Sequence, residues 1–264
     1  LVPAIQAPNG RMGQMTSRRF KEKSTSSSLS WVVVVAGFLL AVIIYLANGK
    51  GMSRNKNSLN MGIKQMSGSS DIVSGTVNGI DYYHCAGNLK HLVLLHGAKF
   101  TKEDWKTSGI LGKFCQYSEI SVSAMDLPVS AGHEDLQALL TSMEEAGLLT
   151  TPVVVVTPSA SGKTITDWIK NGDVSTLKSL VSLWIPVAAG SVASVSEEQL
   201  IGLGNALPIF AVYGNKDVMG QQTTERLANL AGAETLEIEG GHPCYLDSPD
   251  DFVSAILQKL NVES

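Results

Sequence analysis

The sequence predicts an α/β fold, a mostly parallel sheet with helices on both faces. Two observations carry this. From His91 onward, short apolar segments alternate with helical patterns, the order that strand–helix–strand units impose on a parallel sheet. The run Val153–Val156 is apolar without interruption, as a strand covered on both faces must be. A chain of 264 residues, 44% of them hydrophobic, is long enough for one such domain with a sizeable core.

The elements follow in order. Val77-Asn78-Gly79-Ile80 signals a front hairpin, because Asn-Gly accepts the positive φ angles of a two-residue turn. Strands are expected at 91–95, 120–125, 152–157, 180–189, 208–213 and 234–239. Helices are expected at 102–116, 133–146, 162–170, 222–231 and 249–260, with a small one near Glu197–Leu203. The connection from 189 to 208 is too short for a cap domain, so any site on this sheet should be open, roofed by short loops.

The segment Val153–Thr164, VVVVTPSASGKT, ends a strand in a small-residue turn. It admits three readings. An α/β-hydrolase presents its nucleophile on such a turn, as small-x-Ser-x-small. Ser159-Ala160-Ser161-Gly162-Lys163 fits with Ser161 as nucleophile, although Lys163 is not small. A phosphate-binding P-loop would use Gly162-Lys163-Thr164. Its first glycine would fall on Thr157, and Pro158 removes an N–H from a loop that works by donating them. The third reading is a plain strand-to-helix connection.

The partners favour the first. A serine hydroxyl needs a histidine to take its proton and a third group to orient that histidine. In α/β-hydrolases the order is Ser, Asp or Glu, His. Asp217 lies in a turn just past the strand Pro208–Tyr213, and His242 follows Gly240-Gly241 after a segment that alternates like a strand. Singly, Asp217 could be a turn former or a helix cap, and His242 a solvated loop residue. Together they fall in the right order, each just beyond a strand end, where open α/β sheets place functional groups. The oxyanion hole would use the N–H of Gly162, after the nucleophile, and that of Ala98, in the loop after the strand His91–Leu95. His96 is expected to pack beneath that loop. Asp126, at the other strand end, reads as a structural turn residue. No downstream strand supplies the aspartate a P-loop would pair with its metal.

The segments LLHGAKFTKEDW (94–105), AMDLP (124–128), TPSASG (157–162), VYGNKDVMGQ (212–221) and GGHPCYLDSPDDF (240–252) resemble the α/β-hydrolase group called abhydrolase domain-containing protein 14. The resemblance spans roughly 74–262. It implies Ser161 as nucleophile, Asp217 as orienting acid and His242 as general base, with Ser159 standing where most elbows carry glycine. The chain departs from the family's glycine-rich turn after D-L-P, reading Val129-Ser130-Ala131-Gly132. The family has a soluble and a membrane-anchored branch, and the N-terminus resembles the latter.

That N-terminus is organised in three parts: a Ser-rich disordered tail at 1–30, an uncharged apolar run at Trp31–Ala47, and a polar tether at 48–72, with the hydrolase domain at 73–264. A 17-residue helix spans about 25 Å, nearly a hydrocarbon core of about 30 Å. A single-pass anchor is therefore expected, with a cleaved signal peptide as the rival; the flanking charges barely orient it, and the cytoplasmic N-terminus (type II) is what the resemblance implies. Three cysteines, Cys85, Cys115 and Cys244, are too few and scattered for a disulfide framework or a zinc site. Cys244, two residues past His242, is given a supporting place by the resemblance. A formal net charge of −4 gives no sign of nucleic-acid binding. No metal cluster or dinucleotide fingerprint is present, so no cofactor is expected. The expectation is a membrane-anchored serine hydrolase acting on an ester, thioester or amide, with a small acyl substrate or an acylated protein as partner and residues 31–47 in a lipid bilayer. The alternatives are a hydrolase-like scaffold for protein binding and nucleotide binding at 157–164.

Overall fold

Asn78 (φ 49°) and Gly79 (φ 73°) take the two positive angles of a tight hairpin turn. They join β1 (Val73–Val77) to β2 (Ile80–Cys85) antiparallel. Beyond the hairpin come β3 (Lys90–Leu94), β4 (Ile120–Met125), β5 (Val153–Pro158), β6 (Val181–Val187), β7 (Phe210–Gly214) and β8 (Glu234–Ile238). They form one eight-stranded sheet in the order β1-β2-β4-β3-β5-β6-β7-β8. The hairpin joins the sheet antiparallel through β2 and β4, and all later pairings are parallel. The computed structural model describes residues 71–262. The expected tail, the apolar run Trp31–Ala47 and all but the last two residues of the tether lie outside them. Among the described residues, no helix is long and apolar enough to cross a membrane.

The valine run shows why the sheet reads as it does. Val153 and Val155 enter one core with Val93, Leu95 and Trp184, while Val154 and Val156 enter the other with Leu92, Leu94 and Ile185. Successive strand side chains point to opposite faces, and both faces are covered by helices. One face carries α3 (His133–Glu145), α4 (Lys163–Asn171), α5 (Val174–Leu180), α6 (Glu197–Ala206) and α7 (Val218–Ala231). The other carries α1 (Lys102–Thr107), α2 (Ile110–Phe114), α8 (Cys244–Asp247) and α9 (Pro249–Lys259).

Several expectations are corrected. The helix expected at 102–116 is two, because Gly109 turns left-handed (φ 81°) between them. The strand expected to reach 189 stops at Val187, because Ala188 takes a φ of +50°. The helix expected from 222 begins at Val218, directly after Asp217. Helix α5 was not expected; Asp173 caps it by accepting the N–H groups of Ser175 and Thr176. Cys85 and Cys115 form a disulfide, their Cα atoms 5.7 Å apart. Thirty residues separate them in sequence, but β2 pairs with β4 and α2 leads directly into β4, so the topology brings both to one place.

One contact fixes the helix that leads away from the site. Asp167 on α4 accepts both the backbone N–H (3.0 Å) and Nδ1 (2.9 Å) of His133, the first residue of α3, and Asn171 donates to its other oxygen at 2.7 Å. The His133 side chain and then its backbone N–H hold the Asp167 carboxyl down to about 2. A carboxyl lowered on folding stabilises the fold above its unfolded value, near 3.8, and that contribution is lost as pH falls toward 2. The expected effect is on the order of 1 kcal/mol after solvent screening. Urea midpoints compared at pH 5, 4 and 3 should fall less steeply in Asp167→Asn than in the parent; equal slopes would remove this contact from the acid limb.

Candidate active site

Strand β5 runs to Pro158, which pairs with Val187 at the end of β6. The next residue, Ser159, takes a φ of +50°. For a residue with a Cβ this left-handed conformation costs roughly 1–2 kcal/mol, and such strain gathers at functional turns. A 3₁₀ turn, Ser159–Gly162, then feeds α4. The elbow is pinned from below, where Trp184 Nε1 donates to Thr157 Oγ1 at 2.7 Å in the core. It is also pressed against the chain after β6: a Cβ on Gly162 would lie 2.6 Å from the Ala189 Cβ.

Strand β7 delivers Asp217 and β8 delivers His242, and backbone bonds lace the two turns together. Asn215 N–H donates to Ile238 O and Lys216 N–H to Gly240 O, both at 2.9 Å. Gly240 N–H returns to Asn215 Oδ1 at 3.1 Å. The approach is so close that a Cβ on Gly214 would sit 2.1 Å from Gly241 O. Beyond it, Gly241 N–H donates to Asp247 Oδ2 at 2.7 Å and steadies the histidine loop.

The result is a three-residue hydrogen-bonded chain. His242 Nδ1 lies 2.6 Å from Asp217 Oδ2, and His242 Nε2 lies 2.8 Å from Ser159 Oγ. With the Nδ1–H donating to the carboxylate, Nε2 is left to accept the serine proton. The Asp217 side chain is only 9% exposed, whereas that of His242 is 39% exposed. The carboxylate is therefore shielded while the imidazole is open to solvent. The connection 188–209 holds a 3₁₀ turn, Gly190–Ser194, and α6, and places no cap over it.

Asp217 and His242 are thus brought together as expected, but their serine is Ser159, not Ser161. Ser161 is 3% exposed, and its hydroxyl donates to Pro158 O at 2.9 Å. The physical reason is the length of β5. An elbow nucleophile follows its strand directly, and the strand persists through Pro158. Gly162, expected to follow the nucleophile, is therefore not adjacent to Ser159; the N–H that follows Ser159 is that of Ala160. Gly162 serves the close packing on Ala189. Ala98 stays in the exposed loop after β3. The signal missed in the sequence was the strand's end: counted from it, Ser159 comes first, with Thr157 and Ser161 as its small neighbours.

The supporting residues have defined places. His96 is buried, with Nδ1 3.0 Å from Gly97 O, and so sits beneath the loop as expected. Asp126 does more than shape its own turn. Its carboxylate accepts both the backbone N–H and Nζ of Lys102, each at 2.6 Å, and thereby fixes the start of α1 where the Ala98 loop ends. This bond raises the Lys102 ammonium above its ordinary value. Lys163, the residue a P-loop would need, gives its ammonium to Ser130 O and Ala131 O at 3.1 and 3.4 Å. Cys244 is fully buried, and desolvation pushes its thiol up to about 12. A neutral buried thiol is not a nucleophile. Among the described residues, no group of His, Cys, Asp and Glu could hold a metal ion.

No family model matches the chain. It is 30% identical over 181 residues to human ABHD14B, whose name gives it as a candidate protein-lysine deacylase; the match covers 64% of this chain and 82% of that protein. It is 26% identical over 180 residues to human ABHD14A, covering 64% of each. Among solved structures, a CIB-like hydrolase from Thermoplasma acidophilum superposes with a TM-score of 0.58 at 20% identity, over 72% of this chain and 98% of that one. The last likeness establishes the fold.

The disulfide and the burial of Cys244 together set the thiol chemistry. Without reductant, the native protein should give no reaction with Ellman's reagent. In denaturant it should give one thiol per chain, that of Cys244. Three thiols in denaturant would exclude the disulfide, and a fast native thiol would contradict the burial.

Proposed function

The chain belongs to the abhydrolase domain-containing 14 family of α/β-hydrolases, and from that premise we propose that it is a serine hydrolase with Ser159 as nucleophile. The observation that carries the reading is the hydrogen-bonded chain from Asp217 through His242 to Ser159. Ser159 Oγ attacks an acyl carbonyl while His242 Nε2 takes its proton. The N–H groups of Ala160 and Ala98 receive the developing oxyanion. Collapse of the tetrahedral intermediate expels the leaving group, protonated by His242, and leaves the acyl group on Ser159. Water, deprotonated by His242, then releases the acid. Asp217 holds the imidazole and balances its charge.

The substrate class proposed is an acyl ester, thioester or amide, either small or carried on a protein side chain. The uncapped approach to His242 supports this, since an acylated surface residue needs an open rim. The name of human ABHD14B supports the amide arm, an acylated lysine side chain. Residues 31–47 are proposed as a type II anchor in a lipid bilayer. The Cys85–Cys115 disulfide supports a hydrolase domain on the non-cytosolic side, because such bridges persist in oxidising compartments.

A fluorophosphonate probe tests the nucleophile. The full chain should be labelled, with the adduct on Ser159. Ser159→Ala should abolish labelling, and Ser161→Ala should label within several-fold of the parent. Asp217→Asn should slow labelling by about three to four orders of magnitude, because an unoriented imidazole cannot accept the serine proton. An adduct on Ser161 would return the nucleophile to the second serine. A folded parent that takes no label would favour the scaffold.

A further inference from the structure

Asp217 occupies the N-cap position of α7, yet its side chain accepts none of the helix's own N–H groups. An N-cap aspartate ordinarily bonds to the N–H two or three residues on. Here the third is Gly220, and the carboxylate lies directly over it without making that bond. A Cβ built on Gly220 would sit 2.4 Å from Asp217 Oδ2, 2.9 Å from its Cγ and 3.0 Å from the Ala188 Cβ. The space a side chain would need is therefore held by the carboxylate that reaches His242. Glycine is a poor helix former, so its use at a buried helical position points to this requirement.

Ala188 closes the other wall. It is buried and left-handed at φ +50°, while its N–H donates to Val212 O at 2.9 Å and extends the pairing of β6 with β7. Its methyl group faces Gly220, and the methyl of Ala189 faces Gly162. The chain after β6 is thus wedged between the acid turn and the nucleophile elbow, with a glycine yielding on each side. A glycine at 188 would take the same backbone angle without strain, but would remove the methyl group that meets Gly220 beside the carboxylate.

We propose that Gly220 and Ala188 are positioning residues that hold the Asp217 carboxylate on His242. Gly220 leaves it room, and the strained Ala188 bars its retreat toward the helix N-terminus. This rests on the reading of Ser159, His242 and Asp217 as a triad. Neither residue touches substrate.

The test uses full-chain Gly220→Ala and Ala188→Gly. Three measurements are needed: melting temperature, the pH dependence of fluorophosphonate labelling, and the low-field proton resonance of the His242 Nδ1–H hydrogen bond. In Gly220→Ala the resonance should vanish, labelling at neutral pH should fall tenfold or more, and its pH midpoint should move down as the imidazolium loses its carboxylate. Ala188→Gly should melt no lower than the parent, yet label several-fold more slowly with a weakened resonance. A purely structural role would lower the melting temperature and leave the pH midpoint and the resonance in place. A folded Gly220→Ala with parental resonance and midpoint overturns the proposal. If Gly220→Ala does not fold, parental behaviour in Ala188→Gly overturns it. If the parent itself is not labelled, the hydrolase reading falls and the resonance alone decides: lost in Gly220→Ala it supports the positioning role, retained it overturns it.

Discussion

Everything in the site follows from parallel strands finishing at one edge of the sheet. β3 hands the chain to the Ala98 loop, β5 to Ser159, β7 to Asp217 and β8 to the His242 loop. In a parallel sheet all carboxyl ends lie on the same side, so groups far apart in sequence converge without any long-range local design. Residues 159 and 242 meet through one 2.8 Å contact because their strands share an edge. The Ser159 backbone strain, roughly 1–2 kcal/mol, is small against the burial that fixes β5 on both faces, so the sheet imposes the elbow and not the reverse.

Convergence alone would leave the groups too loosely held. Precision comes from backbone approaching backbone, and this is where glycine is required. Gly214 lets the histidine loop come onto the acid turn, and the bonds through Asn215 and Lys216 lock that contact. On the other side, the Asp126–Lys102 pair fixes where the Ala98 loop ends. It is partly buried, so removing one partner would strand a charge in a poorly solvated place. The Ala98 loop and the Asp217 turn are therefore anchored by different chemistry, one by an ion pair and the other by peptide hydrogen bonds.

What was legible in the sequence was what one strand or turn declares by itself. The uninterrupted valines declared a buried strand, Asn78-Gly79 a hairpin, and Asp217 and His242 their places after strands. What was not legible depended on comparing alternatives that sequence renders equal. Ser159, Ser161 and Gly162 are all small, and only the pairing of Pro158 with Val187 shows which serine comes first after the strand. Helix α7 begins four residues before its expected start, and although Asp217 at its N-cap is of a type that caps helices, the first turn carries no helical pattern. Val218 and Met219, its first residues, are 69% and 55% exposed, against the usual apolar-inward pattern. The Cys85–Cys115 bridge depends on β2 lying beside β4, a pairing that spacing does not reveal.

Two serines two positions apart could look interchangeable, and the geometry says why they are not. The Ser161 hydroxyl is committed to Pro158 O, and releasing it costs about 1 kcal/mol net, which by itself is no barrier. The obstacle is the backbone. Ser159 projects from a left-handed residue at the turn's crest, while Ser161 lies two residues further into the turn, where the chain has already bent toward α4 and its side chain is buried. To reach His242 Nε2 it would have to rebuild the turn that packs Gly162 against Ala189. A misplacement of about 1 Å can cost a hundredfold in rate, so a serine that must move the elbow to reach its base gains nothing from being close to it in sequence.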